Sequence, residues 1–541
     1  MNDKELSLLF HPSGRTGHGH PGETVGAVAT RAGVPLAQPC GGAGVCGKCR
    51  VLPAAGANFL DEVTETERER LGPHLLAEGV RLACCARLEG SGEVTVMDDV
   101  AAANLQILGS IGTEPIGDWD GGRTGCGVAV DLGTTSVVCC LADLERGEIL
   151  DVDSFLNPQV VFGDDVLSRI AYASSEREGL SRLRDVVTNA LDRGIRAMAE
   201  RSGRRTEDIG RIVVAGNTVM EHLLLGVSPK SIGRSPYRPT FLKYPPVPAA
   251  DLGIHIHPDG LVHLIPNVAG YVGGDIVSGA TALAMDESPS LRLLVDVGTN
   301  SEIVLGDRDS LLCCAAAAGP AFEGARIQCG MRAESGAIER VRLAPDGRGI
   351  EYETVRDAPP RGICGSGLVD AVALLLHQGI IDRSGRFTMT EGSGQRWFDP
   401  RFSKDDRGMV RFLLADHGDR PLFITQKDVR EVQLAVGAIR VGAEVLLERR
   451  GVAMDDVDEI LLAGAFGNYI HVENAMAIGL LPPFPPDRVR SVRNSSGLGA
   501  CKALASEAFL RRTHEAARRM SYVELSTLPD FQPRFLRALT F

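Results

Sequence analysis

The sequence predicts a multidomain protein that mixes the α/β and α+β classes. It divides into a small β-rich domain over residues 1–98, a linker over 99–124, and two related α/β lobes over 125–290 and 291–541. Three observations carry that prediction. Five of the 13 cysteines fall between residues 40 and 85, among short segments with strand and helix patterning. The passage after Met97 is rich in Ala and Gly, holds Asp98, Asp99, Asp118 and Asp120, and shows little periodicity, as a linker does. Beyond it, a pattern of strand, Asp-x-Gly-Thr turn, strand, helix and strand occurs twice, which marks an internal duplication.

In the first domain, Glu23–Ala32 reads as a short helix and Gly92–Met97 as a strand. The duplicated unit begins with VAVDLGTTSVVCC at Val128–Cys140 and returns as LLVDVGTNSEIVL at Leu293–Leu305. Each copy ends on a buried strand that runs into Ala-Gly: RIVVAGNTVM from Arg211 and EILLAGAFGN from Glu459. A helical stretch precedes each of those strands, about 178–202 in the first copy and 426–450 in the second. The second places Val429, Val432, Ala435, Ile439, Val445 and Leu446 near one face.

Bulk composition narrows the function classes. The net charge of −13, with no Lys/Arg-rich run, argues against a nucleic-acid or anionic-membrane partner. The N-terminal MNDKELSLLF is charged and lacks the apolar core of a signal peptide. No apolar run approaches the roughly 20 residues that span a bilayer, since Leu311–Phe322 is short and broken by Gly319 and Pro320. The odd number and clustering of the cysteines do not fit a secreted disulfide framework and point to the reducing cytoplasm, with the first group binding metal.

Cys40, Cys46 and Cys49 are spaced C-x5-C-x2-C, and Cys84 follows after 34 residues. Three thiolates from one loop and a fourth from a distant segment suit a [2Fe–2S] cluster. Gly41, Gly42, Gly44 and Gly47 let the loop wrap closely around sulfide. A zinc site more often pairs two C-x2-C knuckles, and only one is present. Cys84 and Cys85 would alternate sides on an extended chain, so one of them faces the cluster. The adjacent pairs Cys139–Cys140 and Cys313–Cys314, with Cys329 and Cys364, read as core thiols.

The two Asp-x-Gly-Thr turns suit a nucleotide. A tight hairpin of Gly and Thr aims N–H and hydroxyl donors at phosphate oxygens, and an Asp at the strand end can hold Mg²⁺ through water. ATP and Mg²⁺ are therefore the expected ligands. The first turn offers Asp131, Gly133, Thr134, Thr135 and Ser136; the second offers Asp296, Gly298, Thr299 and Asn300. Gly365, Ser366 and Gly367 in GICGSG are further backbone contacts. Asp275 in YVGGD is a candidate for the Mg²⁺ shell or for orienting water, against a capping or surface role, and Glu302 and Asp165 stand in the same position. Asn494–Ala500 reads either as a nucleotide contact or as an ordinary turn, and the tail from Tyr522 has no assigned role.

The C-x5-C-x2-C…C spacing with RLAC resembles adrenodoxin-type ferredoxins, whose fold is β-grasp-like, and that resemblance favours Cys84 as the fourth ligand. The duplicated turns resemble the phosphate-1 and phosphate-2 motifs of the superfamily of acetate and sugar kinases, Hsp70 and actin, built on ribonuclease-H-like lobes. Gly464 and Gly467 in GAFG resemble its adenosine motif. The whole chain, through PCGGAGVCGKC, VDLGTTS, NPQVVFGDDVLSRI, AGNTVMEHLLLG, VDVGTNSEI, AGPAFEGARIQCGM, GICGSGLVD, ITQKDVREVQLAVGAI and LAGAFGNYI, is similar to the reductive activators of corrinoid proteins. The resemblance implies an ATP-hydrolysing reductase that returns Co(II) to Co(I) in the corrinoid protein of a methyltransferase system. It also implies an upstream low-potential electron donor, a homodimer, a second lobe that docks the partner, and a linker that lets the cluster swing. The alternatives are a small-molecule kinase, which leaves the cysteine domain unexplained, an activator of a radical dehydratase, which the cysteine spacing disfavours, and an ATP-dependent metal or cofactor chaperone.

Overall fold

A computed structural model of the chain describes residues 5–11, 13–34, 36, 42, 44, 47–54, 59–97, 124–298, 300–324, 326–388, 397–405, 408–417, 421–464 and 470–541. Cys40, Cys46, Thr299, Gly467 and linker residues 99–123 lie outside the described residues. The chain forms two compact units: Met1–Asn104 with Leu156–Leu191 and His222–Ser235, and Leu105–Phe155 with Asp192–Glu221 and Pro236–Phe541.

The N-terminal domain in the first unit contains β1 (Leu6–His11), β2 (Arg15–Gly19), α1 (Val25–Arg31), β3 (Arg50–Pro53), α2 (Glu65–Ala77), β4 (Arg81–Leu82) and β5 (Gly92–Val96). The strands form one sheet in the order β2-β1-β5-β3-β4, with β1 and β5 parallel and the other pairs antiparallel. Thr24 caps α1 by accepting from Ala27 N, which fixes the expected helix start. Leu8, Phe10, Val28, Val51, Leu82 and Val94 form its core.

The duplicated region begins with β6 (Cys126–Leu132), β7 (Ser136–Asp143) and β8 (Glu148–Leu156), then α3 (Val166–Ser175), α4 (Gly179–Arg201), β9 (Ile209–Gly216) and α5 (Thr218–Leu225). β10 (Val247–Pro248), β11 (Leu261–Leu264) and α6 (Gly274–Ala282) complete this copy. The second copy opens with β12 (Arg292–Asp296), β13 (Ser301–Gly306) and β14 (Leu311–Ala316). A three-stranded insert of β15 (Ala337–Leu343), β16 (Ile350–Thr354) and β17 (Gly362–Ile363) leads into α7 (Gly365–His377). A second insert, β18 (Phe402–Lys404), β19 (Val410–Ala415) and β20 (Leu422–Thr425), leads into α8 (Gln426–Arg450). The chain then runs through β21 (Glu459–Ala463), α9 (Val472–Ala477), β22 (Val489–Arg493), α10 (Ser495–Ala505), α11 (Glu507–Arg519), β23 (Met520–Tyr522) and α12 (Phe531–Ala538).

The two sheets share five strands in the same order, β11-β9-β6-β7-β8 and β22-β21-β12-β13-β14, and differ in the sixth, β10 beside β11 in the first and β23 beside β14 in the second. In each, an antiparallel hairpin (β6–β7, β12–β13) lies beside a parallel strand (β9, β21). The register is equivalent too: Asp131 lies opposite Ala215, and Asp296 opposite Ala463. β6 is buried along almost its whole length and β12 through its three central residues, which explains why their sequences read as apolar runs rather than alternation.

α8 follows the expected helix from end to end. Thr425 and Asp428 form a capping box at its start, and Gly451, at φ 73°, closes it in the left-handed conformation. Its buried positions include all six expected apolar residues. α10 comes late in the chain, yet it packs on α6, β6 and β9 and so belongs to the layer over the first sheet. Ala129, Cys140, Leu294, Val304, Leu461 and Leu504 share one core between the sheets.

Candidate functional site

The thiol site belongs to the first unit. The Cys49 thiol donates to Cys84 Sγ at 3.2 Å, and Cys85 Sγ lies 3.7 Å from Cys84. Residues 83–85 form a turn, not the extended chain expected from sequence, so alternation does not separate the two neighbouring thiols. The turn is tied down by Ala83 N donating to Cys49 O at 2.8 Å and Cys85 N donating to Leu82 O at 2.8 Å. Cβ geometry explains the loop glycines. At Gly44 a Cβ would come within 3.1 Å of Thr66 and 3.6 Å of Cys85 Sγ, and at Gly47 within 3.3 Å of Arg70 O. Both residues have positive φ. The hydrogen bond from Cys49 and burial push the Cys84 thiol upward, so iron would have to drive its deprotonation. Soft sulfur donors from two distant segments meeting at contact distance fit an iron–sulfur cluster.

A buried ionic network positions that turn. Arg81 donates to Glu67 Oε1 at 2.8 Å, to Glu67 Oε2 at 3.0 Å and to Asp61 O at 2.7 Å, while Leu82 N donates to Glu67 Oε1 at 2.9 Å. Burial opposes ionisation of Glu67, but the Arg81 guanidinium and the N–H groups of Thr64 and Leu82 outweigh it and hold the carboxyl below its ordinary value. Glu67→Gln is therefore expected to cost about 2 kcal/mol, because it removes one of the two carboxylates that face Arg81 and leaves only Asp61 Oδ1 at 3.1 Å. Denaturant unfolding and cluster retention on dilution check this. A depressed carboxylate stabilises above its unfolded pKa, so the Glu67 contribution is lost as pH falls below about 4.5.

The second site lies in the other unit, where the two turns bring their carboxylates together. Asp131 is the penultimate residue of β6, Asp296 ends β12, Asp275 stands in the first turn of α6, and Glu302 lies on β13 opposite Asp296. Burial pushes Asp275 up to about 7, with Asp296 and Asp131 adding repulsion. Asp296 also rises to about 7, from burial and the charge of Asp131. Glu302 is raised by burial and by Asp275 and Asp296. Repelling carboxylates of this kind gain most from a cation. Among the described residues no group of three His, Cys, Asp or Glu is placed to hold a metal ion together.

The hairpin turns are tight. A Cβ on Gly133 would meet Ser136 O at 2.6 Å, and one on Gly298 would meet Asn300 O at 3.1 Å. Thr134 Oγ1 accepts from Asn217 Nδ2 at 2.8 Å, and Ser136 opens β7. Gly464, at φ 93°, packs so closely that a Cβ would lie 2.5 Å from Val297 O and 2.8 Å from Asp296 Oδ1. That glycine lets the end of β21 reach the second turn. Gly365, Ser366 and Gly367 form the first turn of α7, where a Cβ on Gly367 would lie 2.1 Å from Ile338 O. Asp165 caps α3, accepting from Ser168 N at 2.7 Å. Cys139, Cys140, Cys313 and Cys314 are fully buried strand residues, as core thiols are.

Several residues in this site carry no legible signal in the sequence. Asn494 Nδ2 donates to Asp131 Oδ2 at 2.9 Å and Ser496 Oγ to Asp131 Oδ1 at 2.8 Å, so the start of α10 grips the first carboxylate. Behind Asp275, Glu221 accepts from Asn267 Nδ2 at 2.7 Å, and Asn267 Oδ1 accepts from Gly274 N at 3.0 Å. Thr135 Oγ1 donates to Glu323 Oε2 at 2.7 Å. The small-residue run from Asn494 was the one cue, and it left contact and turn undecided.

Comparison with known proteins matches three family models along the chain. Residues 10–89 match the 2Fe-2S iron-sulfur cluster binding domain, 126–288 the RACo middle region, and 290–541 the C-terminal domain of RACo, the ASKHA domain. The chain is 38% identical over 419 residues to the corrinoid activation enzyme RamQ of Eubacterium limosum, covering 77% of this chain and 70% of that protein. It is 25% identical to the [Co(II) methylated amine-specific corrinoid protein] reductase of Methanosarcina barkeri, with 77% of each covered. Among solved structures, a reductive activator for corrinoid, iron-sulfur protein superposes with a TM-score of 0.70 at 31% identity, covering 99% of this chain and 98% of that one. With its iron–sulfur domain followed by a duplicated ASKHA core, the chain belongs to the family of reductive activators of corrinoid proteins.

Proposed function

We propose that this protein is an ATP-dependent reductase that restores the Co(I) state of a corrinoid protein by one-electron reduction of Co(II). The observation that carries the reading is the fusion, in one chain, of a converging thiol site with a nucleotide core whose two turns present carboxylates to each other. When bound, the [2Fe–2S] cluster supplies a one-electron carrier, and MgATP supplies a phosphoanhydride whose binding and cleavage bias the protein's conformation.

The chain's residues have separate tasks in this scheme. Cys40, Cys46, Cys49 and Cys84 hold the iron, with Arg81 and Glu67 fixing the segment that bears Cys84. Thr134, Thr135, Ser136 and the backbone of Gly133 receive phosphate oxygens at the first turn, and Gly298, Thr299 and Asn300 do so at the second. Asp131, Asp296 and Asp275 hold Mg²⁺ through water, and Asn494 and Ser496 fix the rotamer of Asp131. Gly464 and Gly467 bound the adenosine side. The donor is a low-potential one-electron carrier, the working form is a homodimer, and the compartment is the cytoplasm, where thiols stay reduced. ATP is needed because the step is uphill: each 59 mV of mismatch is a tenfold penalty for one electron, and only differential binding of two states offsets it.

The test is anaerobic. The full-length holoprotein is mixed with a Co(II) corrinoid protein and a low-potential reductant, and Co(I) absorption is followed with and without MgATP. Co(I) appearing only with MgATP is the expected result. Phosphorylation of a small molecule, or no ATP-dependent Co(I) with any candidate partner, overturns the reading.

A further inference from the structure

The hydrogen bond from Thr135 to Glu323 joins two parts of the fold that are far apart in the chain. Thr135 belongs to the turn between β6 and β7. Glu323 closes the short 3-10 helix Pro320–Glu323, and the bond between them measures 2.7 Å. That helix is a firmly seated element. Ala321 and Phe322 are buried in the second lobe's core, and the segment packs against α7 and α8. Gly319 and Gly324 bracket it at φ 75° and 77°, and a Cβ on Gly324 would lie 2.5 Å from the backbone of Met331. The Glu323 backbone is therefore anchored by its helix and the elements that helix packs on, and its side chain reaches Thr135 from that fixed point.

Two features make the contact informative. The Thr135 hydroxyl has one proton and so directs it to one acceptor at a time. Its present acceptor is an acidic side chain, placed at a turn whose donors and shape suit phosphate. A phosphate oxygen and the Glu323 carboxylate would compete for that proton, and as like charges they would repel each other at contact distance.

We propose that Glu323 is a latch on the first phosphate turn: it holds the Thr135 hydroxyl in the nucleotide-free chain, and incoming nucleotide phosphate displaces it, passing occupancy of the turn to the 3-10 helix, α7 and α8. This rests on the reading of the Asp131–Ser136 turn as phosphate-binding. Glu323 is a positioning residue here. It sets which state binds nucleotide, and a ligand shifts two states only by its differential affinity for them. Removing the latch makes nucleotide binding easier and uncouples it from the second lobe.

The experiment is calorimetric titration of MgATP into the full-length holoprotein, comparing wild type with Glu323→Ala, Glu323→Gln, Thr135→Ala and the Glu323→Ala/Thr135→Ala double variant. Hydrogen exchange of residues 320–330 is followed alongside. Glu323→Ala is expected to tighten MgATP binding about tenfold, within the usual range of coupling between sites. Glu323→Gln, which keeps an acceptor but no charge, tightens it less. The Glu323→Ala gain shrinks severalfold in the Thr135→Ala background, because the shared contact is already gone and only the charge repulsion is left to relieve. MgATP raises exchange at 320–330 in wild type and leaves it unchanged in Glu323→Ala. Unchanged or weakened affinity in Glu323→Ala overturns the latch. Asp131→Asn separates the causes: if it weakens MgATP binding while Glu323→Ala does nothing, the phosphate reading stands and the latch fails. Indifference to both substitutions overturns the two together.

Discussion

Cys84→Ser is expected to abolish the visible absorption of the cluster and the reduction of Co(II), while Cys85→Ser keeps both. The thiols are neighbours in sequence and 3.7 Å apart, so the choice rests on what each faces. Cys84 is the one in contact with Cys49, at 3.2 Å, and Cys49 belongs to the C-x5-C-x2-C loop. The Cys85 thiol is raised mainly by burial, and a Cβ on Gly44 would lie 3.6 Å from its sulfur. Serine keeps the size of the side chain but replaces the soft thiolate that iron prefers. Absorption and EPR of the reconstituted variants decide the matter. A Cys84→Ser protein with a full cluster, paired with a Cys85→Ser protein without one, reverses the assignment.

Asp131→Asn and Asp296→Asn are each expected to lower ATP hydrolysis and ATP-dependent Co(I) formation by about 10²-fold, the usual loss when one preorganised electrostatic contact to a reacting phosphate is removed. Asparagine keeps the shape at both positions, and at 131 its remaining oxygen still accepts from Asn494 or Ser496, so a loss of this size reports charge and not packing. The pH dependence follows from the same cluster. Asp275 and Asp296 sit near 7 because burial and the neighbouring carboxylates, Asp131 among them, favour their neutral forms. A cation needs them ionised. MgATP binding therefore releases protons and strengthens as pH rises from about 6 to 8, and Asp296→Asn flattens that rise. Calorimetry in buffers of different ionisation enthalpy measures the proton release directly. Equal affinity at pH 6 and pH 8 in the wild type would count against a shared cation site.

The duplication was legible because each copy is a local object. A hairpin turn and the apolar strands beside it are set by a dozen consecutive residues, and the matching register of Asp131 with Ala215 and Asp296 with Ala463 repeats what the two sequences already shared. The helix over 426–450 was legible for the same reason, since Thr425, Asp428 and Gly451 mark its ends and its apolar period fills the interior. The Cys84–Cys85 segment was misjudged as extended. Two residues of strand end there in a turn that Ala83 N ties to Cys49 O, a bond across 34 positions that no local pattern contains.

By itself, the sequence determined the kind of site at each place: thiols at a spacing that suits iron and sulfide, and acidic Gly-Thr turns that suit a nucleotide with its cation. Those are properties of residue type and of spacing along one segment. Only the tertiary structure decided which partners hold the chemical groups in place. Asn494 and Ser496 reach Asp131 across more than 360 residues of chain, and Glu323 reaches Thr135 across 188. Arg81 and Glu67 fix the turn that carries Cys84. Such contacts depend on how finished elements pack, and packing is decided by the summed burial of many side chains, so no short window of sequence contains them.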